Sequence, residues 1–180
     1  MPHPNKEKTL VLIKPDGVKR GLTGEIISRI EKTGLKIIAL EMVKATRKKI
    51  DRHYPKDIEW IKRLGEKTIA NYKKFNIPLE KEWKEKTSFE IGKLIRSWIL
   101  DYMTSGSIVK ILIEGKHAVE IIRKLVGVTI PLEASPGTIR GDFSNDSPMV
   151  ANKEKRAIYN IIHASENKKE ALHEIKLWFP

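Results

Sequence analysis

Apolar residues along the chain come in two rhythms. Residues 9–13, TLVLI, are a short unbroken run of β-favouring side chains, and the KPDG that follows reads as a turn, which leaves Lys14 at a strand's exit. The stretch TGEIISRIEKTG puts Ile26, Ile27 and Ile30 on one helical face, with Thr23 as N-cap and Gly34 in the C-terminal turn. Residues 35–45 return to the strand period, with Ile37, Ala39, Glu41 and Val43 facing one way and Ile38, Leu40 and Met42 the other. A helical segment follows, and Pro55 ends it just after Tyr54. Between 55 and 87 the pattern loosens into charge-rich amphipathic pieces broken by Gly65 and Pro78, which read as a helical insertion.

TSFE then offers a capping box from Thr87 to Glu90 and opens a helix that runs to Gly106. Residues 107–115 predict a third strand, and HAVEIIRKLVG a helix stopped by Gly127. A long loop rich in Pro, Gly and Ser comes next, the kind of segment that tends to carry function. YNII is the candidate fourth strand, and SENKKEALHEIKLWF a terminal helix with Leu172, Ile175 and either Trp178 or Phe179 inward. The order is βαββαβ with extra helices, in one domain spanning residues 1–180.

Composition sharpens this only in part. A chain of 180 residues, 40% apolar with four Trp, can bury one sizeable core. The absence of cysteine excludes disulfides and thiolate metal sites and makes the cytoplasm the default compartment. No run of about 18 apolar residues is present, which argues against a membrane-spanning segment. The net charge of +12, from 35 Lys and Arg against 23 Asp and Glu, implies attraction to polyanions. That field serves a phosphorylated metabolite as well as nucleic acid. Runs such as PLEKEWKEK mix both signs and read as solvated faces.

Of five histidines, His3 falls in an N-terminal tail, while His117 and His173 lie in helices beside charged residues. None stands at metal-ligand spacing from another. His163, in NIIHAS, has two readings: a core histidine with a satisfied ring, or a reagent. If Ser165 caps the last helix, the positive helix end disfavours imidazolium, leaves a neutral nucleophile and attracts phosphate. Further donors for an anion are Thr129, Thr138 and Arg140 in the long loop, Arg123 on the preceding helix, and Lys14. SPGTIRGDF sets Arg140 between two Gly-containing turns, where a guanidinium can hold phosphate oxygens bidentately. The Walker pattern, the dinucleotide-binding glycine motif and the RNA-recognition signature are all absent.

The segments IKPDGVKRGLTGEII, HY at His53 and Tyr54, YMTSGSIVKILIEG, PGTIRGDF, NIIHAS and LWF occur in this order. In them the chain closely resembles the nucleoside diphosphate kinase family, over about residues 8–54 and 98–180. The resemblance implies an α+β, ferredoxin-like sandwich with a four-stranded antiparallel sheet. It implies γ-phosphate transfer from a nucleoside triphosphate, usually ATP, to a nucleoside diphosphate through a phosphohistidine, in a ping-pong cycle with Mg²⁺. By matching motif, His163 is the nucleophile, Glu174 the carboxylate on the other ring nitrogen, Ser165 a hydroxyl in the same network, and Tyr54 the tyrosine beside the nucleophile. Lys14 meets sugar hydroxyl and phosphate, Arg123, Thr129 and Arg140 hold phosphate, and Asn160 meets the ribose 3′-hydroxyl. The resemblance assigns no metal-ligating residue.

The chain departs from the family pattern in three places. About thirty extra residues separate HY from YM, which puts Ile95 near the usual base-stacking phenylalanine, with Phe89 or Trp98 as replacements. About ten extra residues separate Phe143 from Asn160, and Val128 and Ile130 replace an acidic residue and an asparagine. Family members assemble as hexamers or tetramers, so a homo-oligomer is implied. The rival reading is a basic nucleic-acid-binding protein on the same topology with a vestigial site, which a steep salt dependence and no phosphoenzyme would mark.

Overall fold

Strands β1 (Lys6–Ile13), β2 (Lys36–Lys44), β3 (Ser107–Lys116) and β4 (Ile162–Ala164) form one antiparallel sheet in the order β2-β3-β1-β4. The computed structural model describes residues 6–79, 83, 84 and 86–180; His3 and four residues of the PLEKEWKEK run lie outside them. The helices are α1 (Pro15–Lys19), α2 (Thr23–Glu31), α3 (Arg47–His53), α4 (Ile58–Lys74), α5 (Ser88–Thr104), α6 (Ala118–Val126), α7 (Ile139–Phe143), α8 (Pro148–Lys153) and α9 (Lys168–Trp178). With α2 and α6 as its crossovers this is the α+β, ferredoxin-like βαββαβ sandwich. Among the described residues no helix is long and apolar enough to cross a membrane.

The unbroken apolar run of β1 follows from its place at the centre of the sheet. Both faces of Leu10, Val11, Leu12 and Ile13 are fully buried, as in a strand covered on both sides. Val11 and Ile13 pack with Ile26 and Ile30 of α2 and Ile122 and Val126 of α6. Leu10 and Leu12 pack on the other face with Ile50 of α3, Met103 of α5 and Leu177 and Trp178 of α9. Each such side chain contributes about 1.5–3 kcal/mol by leaving water.

Several local expectations are corrected. KPDG is not a turn: Lys14 is the residue before α1, whose first position is Pro15, where a missing N–H costs nothing. Leu22, not Thr23, precedes α2, and it makes no side-chain cap. A register shift between Ile37 and Ala39 breaks the alternation of β2, as one inserted residue must. Ile37 therefore packs with the α2 and α6 cluster, while Val43 packs on the opposite face. Ile38, Leu40 and Met42 are exposed on this edge strand. The fourth strand is Ile162–Ala164 and not YNII. Leu172, 64% exposed, faces solvent, and Ala171, Glu174, Leu177 and Trp178 form the inner face of α9.

Helices α4 and α5 form a close-packed pair around Tyr72, Trp83 and Ile91. The capping box of Thr87 and Glu90 starts α5 as read from the sequence. Gly65 and Gly92 make the close approach: a Cβ at Gly65 would stand 1.8 Å from the Ser88 carbonyl oxygen, and one at Gly92 would stand 1.9 Å from that of Ile61. Backbone cannot yield as a side chain does. Gly65→Ala is therefore expected to destabilise the fold by about 1–3 kcal/mol or more, a drop of roughly 2–12 °C in melting temperature. An unchanged melting temperature would mean that the two helices are free to separate.

Candidate active site

The turn that feeds β4 is strained. Ile161, a β-branched residue, takes φ +67°, a conformation that costs such a residue about 1–3 kcal/mol. Three backbone contacts hold it there. Ile162 N–H donates to the Asn160 carbonyl at 2.7 Å, Ile161 N–H to Asp16 Oδ2 at 3.1 Å, and Lys14 N–H to the Ile161 carbonyl at 2.7 Å. The first of these spans two residues and closes a γ-turn. Gly17 admits the contact, since a Cβ there would lie 2.8 Å from Ile161 Cγ2. Asp16 also accepts from the Tyr102 hydroxyl. The KPDG segment thus clamps the entrance to β4.

This clamp brings Lys14 to Asn160, whose Oδ1 accepts from Nζ at 2.6 Å. The Asn160 amide nitrogen donates to the Thr129 carbonyl at 2.9 Å and so ties the long loop to the strand. Burial, together with the charge of Arg140 and against that of Asp16, pushes the Lys14 amine down to about 7. A phosphate at Nζ would favour the charged form again. Binding of ATP at about pH 8 is therefore expected to take up about one proton, seen as a buffer-dependent enthalpy in calorimetry. A buffer-independent enthalpy would show an amine already charged.

His163 is the middle residue of β4, opposite Leu12 of β1, and its side chain is 17% exposed. Its Nε2 lies 2.7 Å from Glu174 Oε1. Glu174 Oε2 accepts from the Ser165 hydroxyl at 2.6 Å, and the Ser165 oxygen accepts from Leu10 N–H at 3.3 Å. A carboxylate that accepts at both oxygens assigns the ring proton to Nε2 and the lone pair to Nδ1. Ser165 does not cap the helix: Asn167 does, accepting from Glu170 N–H at 2.9 Å. The ring is neutral for another reason than a helix dipole. Burial first, then the charges of Lys14, Arg140 and Arg123, hold it well below the usual imidazole range.

Arg140 departs furthest from expectation. It sits inside the first turn of α7, behind the Thr138 cap, and is 5% exposed. Its Nε donates to the Asn160 carbonyl at 3.3 Å, and its terminal nitrogens to the Gly127 and Ile162 carbonyls at 2.7 Å each. Three of five guanidinium N–H groups are thus engaged, and two remain. Thr138 is not a free donor, since its hydroxyl donates to the Ser135 carbonyl at 2.6 Å. Thr129 and Arg123 are exposed, and Arg123 makes no ion pair among the described residues. Tyr54 follows α3, with burial pushing its phenol up. Trp60, in the first turn of α4, stands 6.4 Å from the Tyr54 ring.

Ile95 and Trp98 pack against the Tyr72, Trp83 and Ile91 cluster, and Phe89 lies under Lys93 at 5.0 Å. The residues of this network that reading by type missed are Asp16, Tyr102 and His53. HY carried the signal for His53, yet only its tyrosine has a role in the resemblance. One group of metal-ligand atoms among the described residues lies close together, those of His53, His163 and Glu174, within 4.8 Å. Hydrogen bonds to one another and to Trp178 already use these atoms. The arrangement as a whole is an oriented neutral imidazole on which Lys14, Arg140 and Arg123 act electrostatically, as a phosphoryl acceptor requires.

The sequence model of the family described as nucleoside diphosphate kinase matches residues 7–62 and 59–180. The nucleoside diphosphate kinase of Pyrobaculum aerophilum is 50% identical over 173 residues, covering 96% of this chain and 94% of that protein. That of Pyrococcus furiosus is 40% identical over 173 residues, covering 96% and 83%. Among solved structures, an NDP kinase from Pyrobaculum aerophilum superposes with TM-score 0.92 at 47% identity, covering 97% of this chain and 96% of that one. A transition-state mimic of nucleoside-diphosphate kinase from Borrelia burgdorferi, with bound vanadate and ADP, gives TM-score 0.75 at 31% identity, covering 99% and 89%. Matched along nearly its whole length in both sequence and fold, the chain belongs to the nucleoside diphosphate kinase family.

Proposed function

We propose that the chain moves the γ-phosphoryl group of a nucleoside triphosphate to a nucleoside diphosphate by way of His163. One observation carries this: Glu174 pins Nε2 at 2.7 Å and leaves Nδ1 as the free lone pair of a neutral ring. Nδ1 attacks the γ-phosphorus as the bond to the β-phosphate oxygen breaks, and the diphosphate leaves. In the second half-reaction the terminal oxygen of another diphosphate attacks the same phosphorus and the P–N bond breaks. The transition state is loose, with charge on the peripheral oxygens. Lys14, Arg123, the two remaining N–H groups of Arg140 and the Thr129 hydroxyl receive that charge, while Asn160 and Lys14 meet the sugar. Glu174 and Ser165 hold the ring, and Tyr54, the tyrosine the family places beside the nucleophile, packs edge-on to His53 at 4.8 Å.

Mg²⁺ fits as a companion of the nucleotide. Two carboxylates of the network are already engaged, Asp16 by Tyr102 and Ile161, Glu174 by His163 and Ser165. The surrounding cations suit a phosphate chain and not a bare ion. When bound, such a hard cation would be carried by the nucleotide and would supply charge neutralisation to its phosphate chain, with no carboxylate of the ring network as ligand. Exposed Ile38, Leu40 and Met42 on edge strand β2 support a homo-oligomer, and a cysteine-free chain acting on nucleotide pools suits the cytoplasm. The segment at 55–87 is proposed as an insertion, since the family match breaks into two stretches that meet at 59–62.

Initial rates with ATP and a diphosphate varied together test the reading. Parallel double-reciprocal lines are expected of a covalent intermediate; intersecting lines would mean direct transfer and sink it. Base selectivity is expected to be weak, with GDP, CDP and UDP within about tenfold in kcat/KM, because stacking is worth only about 1–3 kcal/mol in total and tolerates every base, each having a π-face. A preference beyond about a hundredfold would show hydrogen-bond readout of the base.

A further inference from the structure

His53 is a buried titratable group against the His163 ring that the transfer as written leaves without a part. It ends α3, and its side chain is 1% exposed. Its ring meets that of His163 edge to face, with centroids 4.6 Å apart and planes at 81°. Its Nδ1 accepts from Trp178 Nε1–H at 3.3 Å. The same Nδ1 stands 3.4 Å from Glu174 Oε1, the oxygen that holds His163. Its Nε2 is buried without a hydrogen-bond partner in the described structure.

An acceptor at Nδ1 puts the ring's single proton on Nε2. Leaving that N–H buried without a partner costs about 1–3 kcal/mol. The opposite tautomer would give Nδ1–H to Glu174 and orphan the Trp178 N–H instead. It would also place a second donor on the oxygen that orients the nucleophile. A cationic ring would compete still harder for it. The titratable and charged groups facing His53 are His163 on β4, Glu174 and His173 on α9, Lys14 after β1, and Tyr54 next in the chain. Burial first and then His163 push the His53 ring down to about 3, against the pull of Glu174.

We infer that His53 is a positioning residue for the transfer: it takes up the Trp178 N–H and presents no proton to Glu174, so that Glu174 Oε1 is reserved for His163 Nε2–H, while its edge limits rotation of the His163 ring. The inference rests on His163 as the nucleophile. Without His53, the Trp178 N–H or a water turns to Glu174, and the nucleophile keeps its place in the strand but loses its fixed tautomer and tilt.

Long-range ¹H–¹⁵N correlation on the full wild-type chain at about pH 7 is expected to show His53 and His163 both neutral and protonated at Nε2. A His53 that is cationic or protonated at Nδ1 overturns the inference. Two variants separate positioning from packing, read as the single-turnover rate of phosphorylation by ATP and Mg²⁺. His53→Phe keeps a ring edge without an acceptor; it is expected to fold, keep its KM for ATP within about twofold and label about tenfold more slowly. His53→Asn, whose amide oxygen reaches the Nδ1 position, is expected to recover the rate to within about threefold. Wild-type labelling rates in a folded His53→Phe, or no recovery in a folded His53→Asn, overturn the inference while His163 stays the nucleophile. A wild-type chain that never labels overturns the reading of His163 itself.

Discussion

Replacing His163 by alanine is expected to lower turnover by roughly 10⁴–10⁶-fold, the scale on which enzymes lose activity with their nucleophile. The fold is expected to survive, because the change removes one hydrogen bond at a side chain that is 17% exposed. Glu174 keeps its bond from Ser165, so no buried carboxylate is stranded. Removal of one such partner costs about 1–3 kcal/mol, which thermal melting will register. Glu174→Ala is expected to slow the reaction without ending it, since that carboxylate orients the ring and does not attack. Near-normal turnover in a folded His163→Ala variant would return the histidine to the core.

Arg140→Ala is expected to fail twice, in rate and in stability. The loss of one preorganised donor to the transferring phosphoryl costs roughly 10²–10³-fold in rate. The same change strands the Asn160, Gly127 and Ile162 carbonyls that the guanidinium now joins. Taking about 3 kcal/mol for these three groups, the melting temperature falls by roughly 6–12 °C. Arg140→Lys keeps the charge without the fork and is expected to recover part of the rate and little of the stability. A variant that loses rate alone would leave the carbonyl bonds without weight, and one that loses stability alone would remove Arg140 from the transition state.

The contrast at Arg140 shows which kind of information a sequence carries. Its position beside two glycines suggested an arm reaching for phosphate, and its three carbonyl partners come from segments up to 22 residues away that no local pattern joins. The βαββαβ order of elements along the chain, the long apolar β1 and the capping box of α5 were legible because each depends on periodicity or on near neighbours. YNII misled because β propensity extends through Ile161, whereas the left-handed turn there depends on Asp16, 145 residues distant. Ser165 looked like a cap by residue type, but its hydroxyl is taken by Glu174 and the backbone of Leu10. Leu172 looked inward by hydrophobicity, and the phase of α9 is set instead by Glu174 and Trp178. The pairing of α4 with α5 rests on two glycines, and only the neighbour's backbone explains them. Glu174 and Asn160 were readable through family motifs alone, since neither spacing implies its contact.

The central claim is that His163 carries the phosphoryl group between two nucleotides. Its most direct measurement is the intact mass of the full chain after incubation with ATP and Mg²⁺ and no acceptor. The expected result is a gain of one phosphoryl group that is lost in acid, survives alkali, maps to His163 and disappears when a nucleoside diphosphate is added. An unmodified mass in a preparation that nevertheless turns over, or a label that maps elsewhere and persists in His163→Ala, would contradict it.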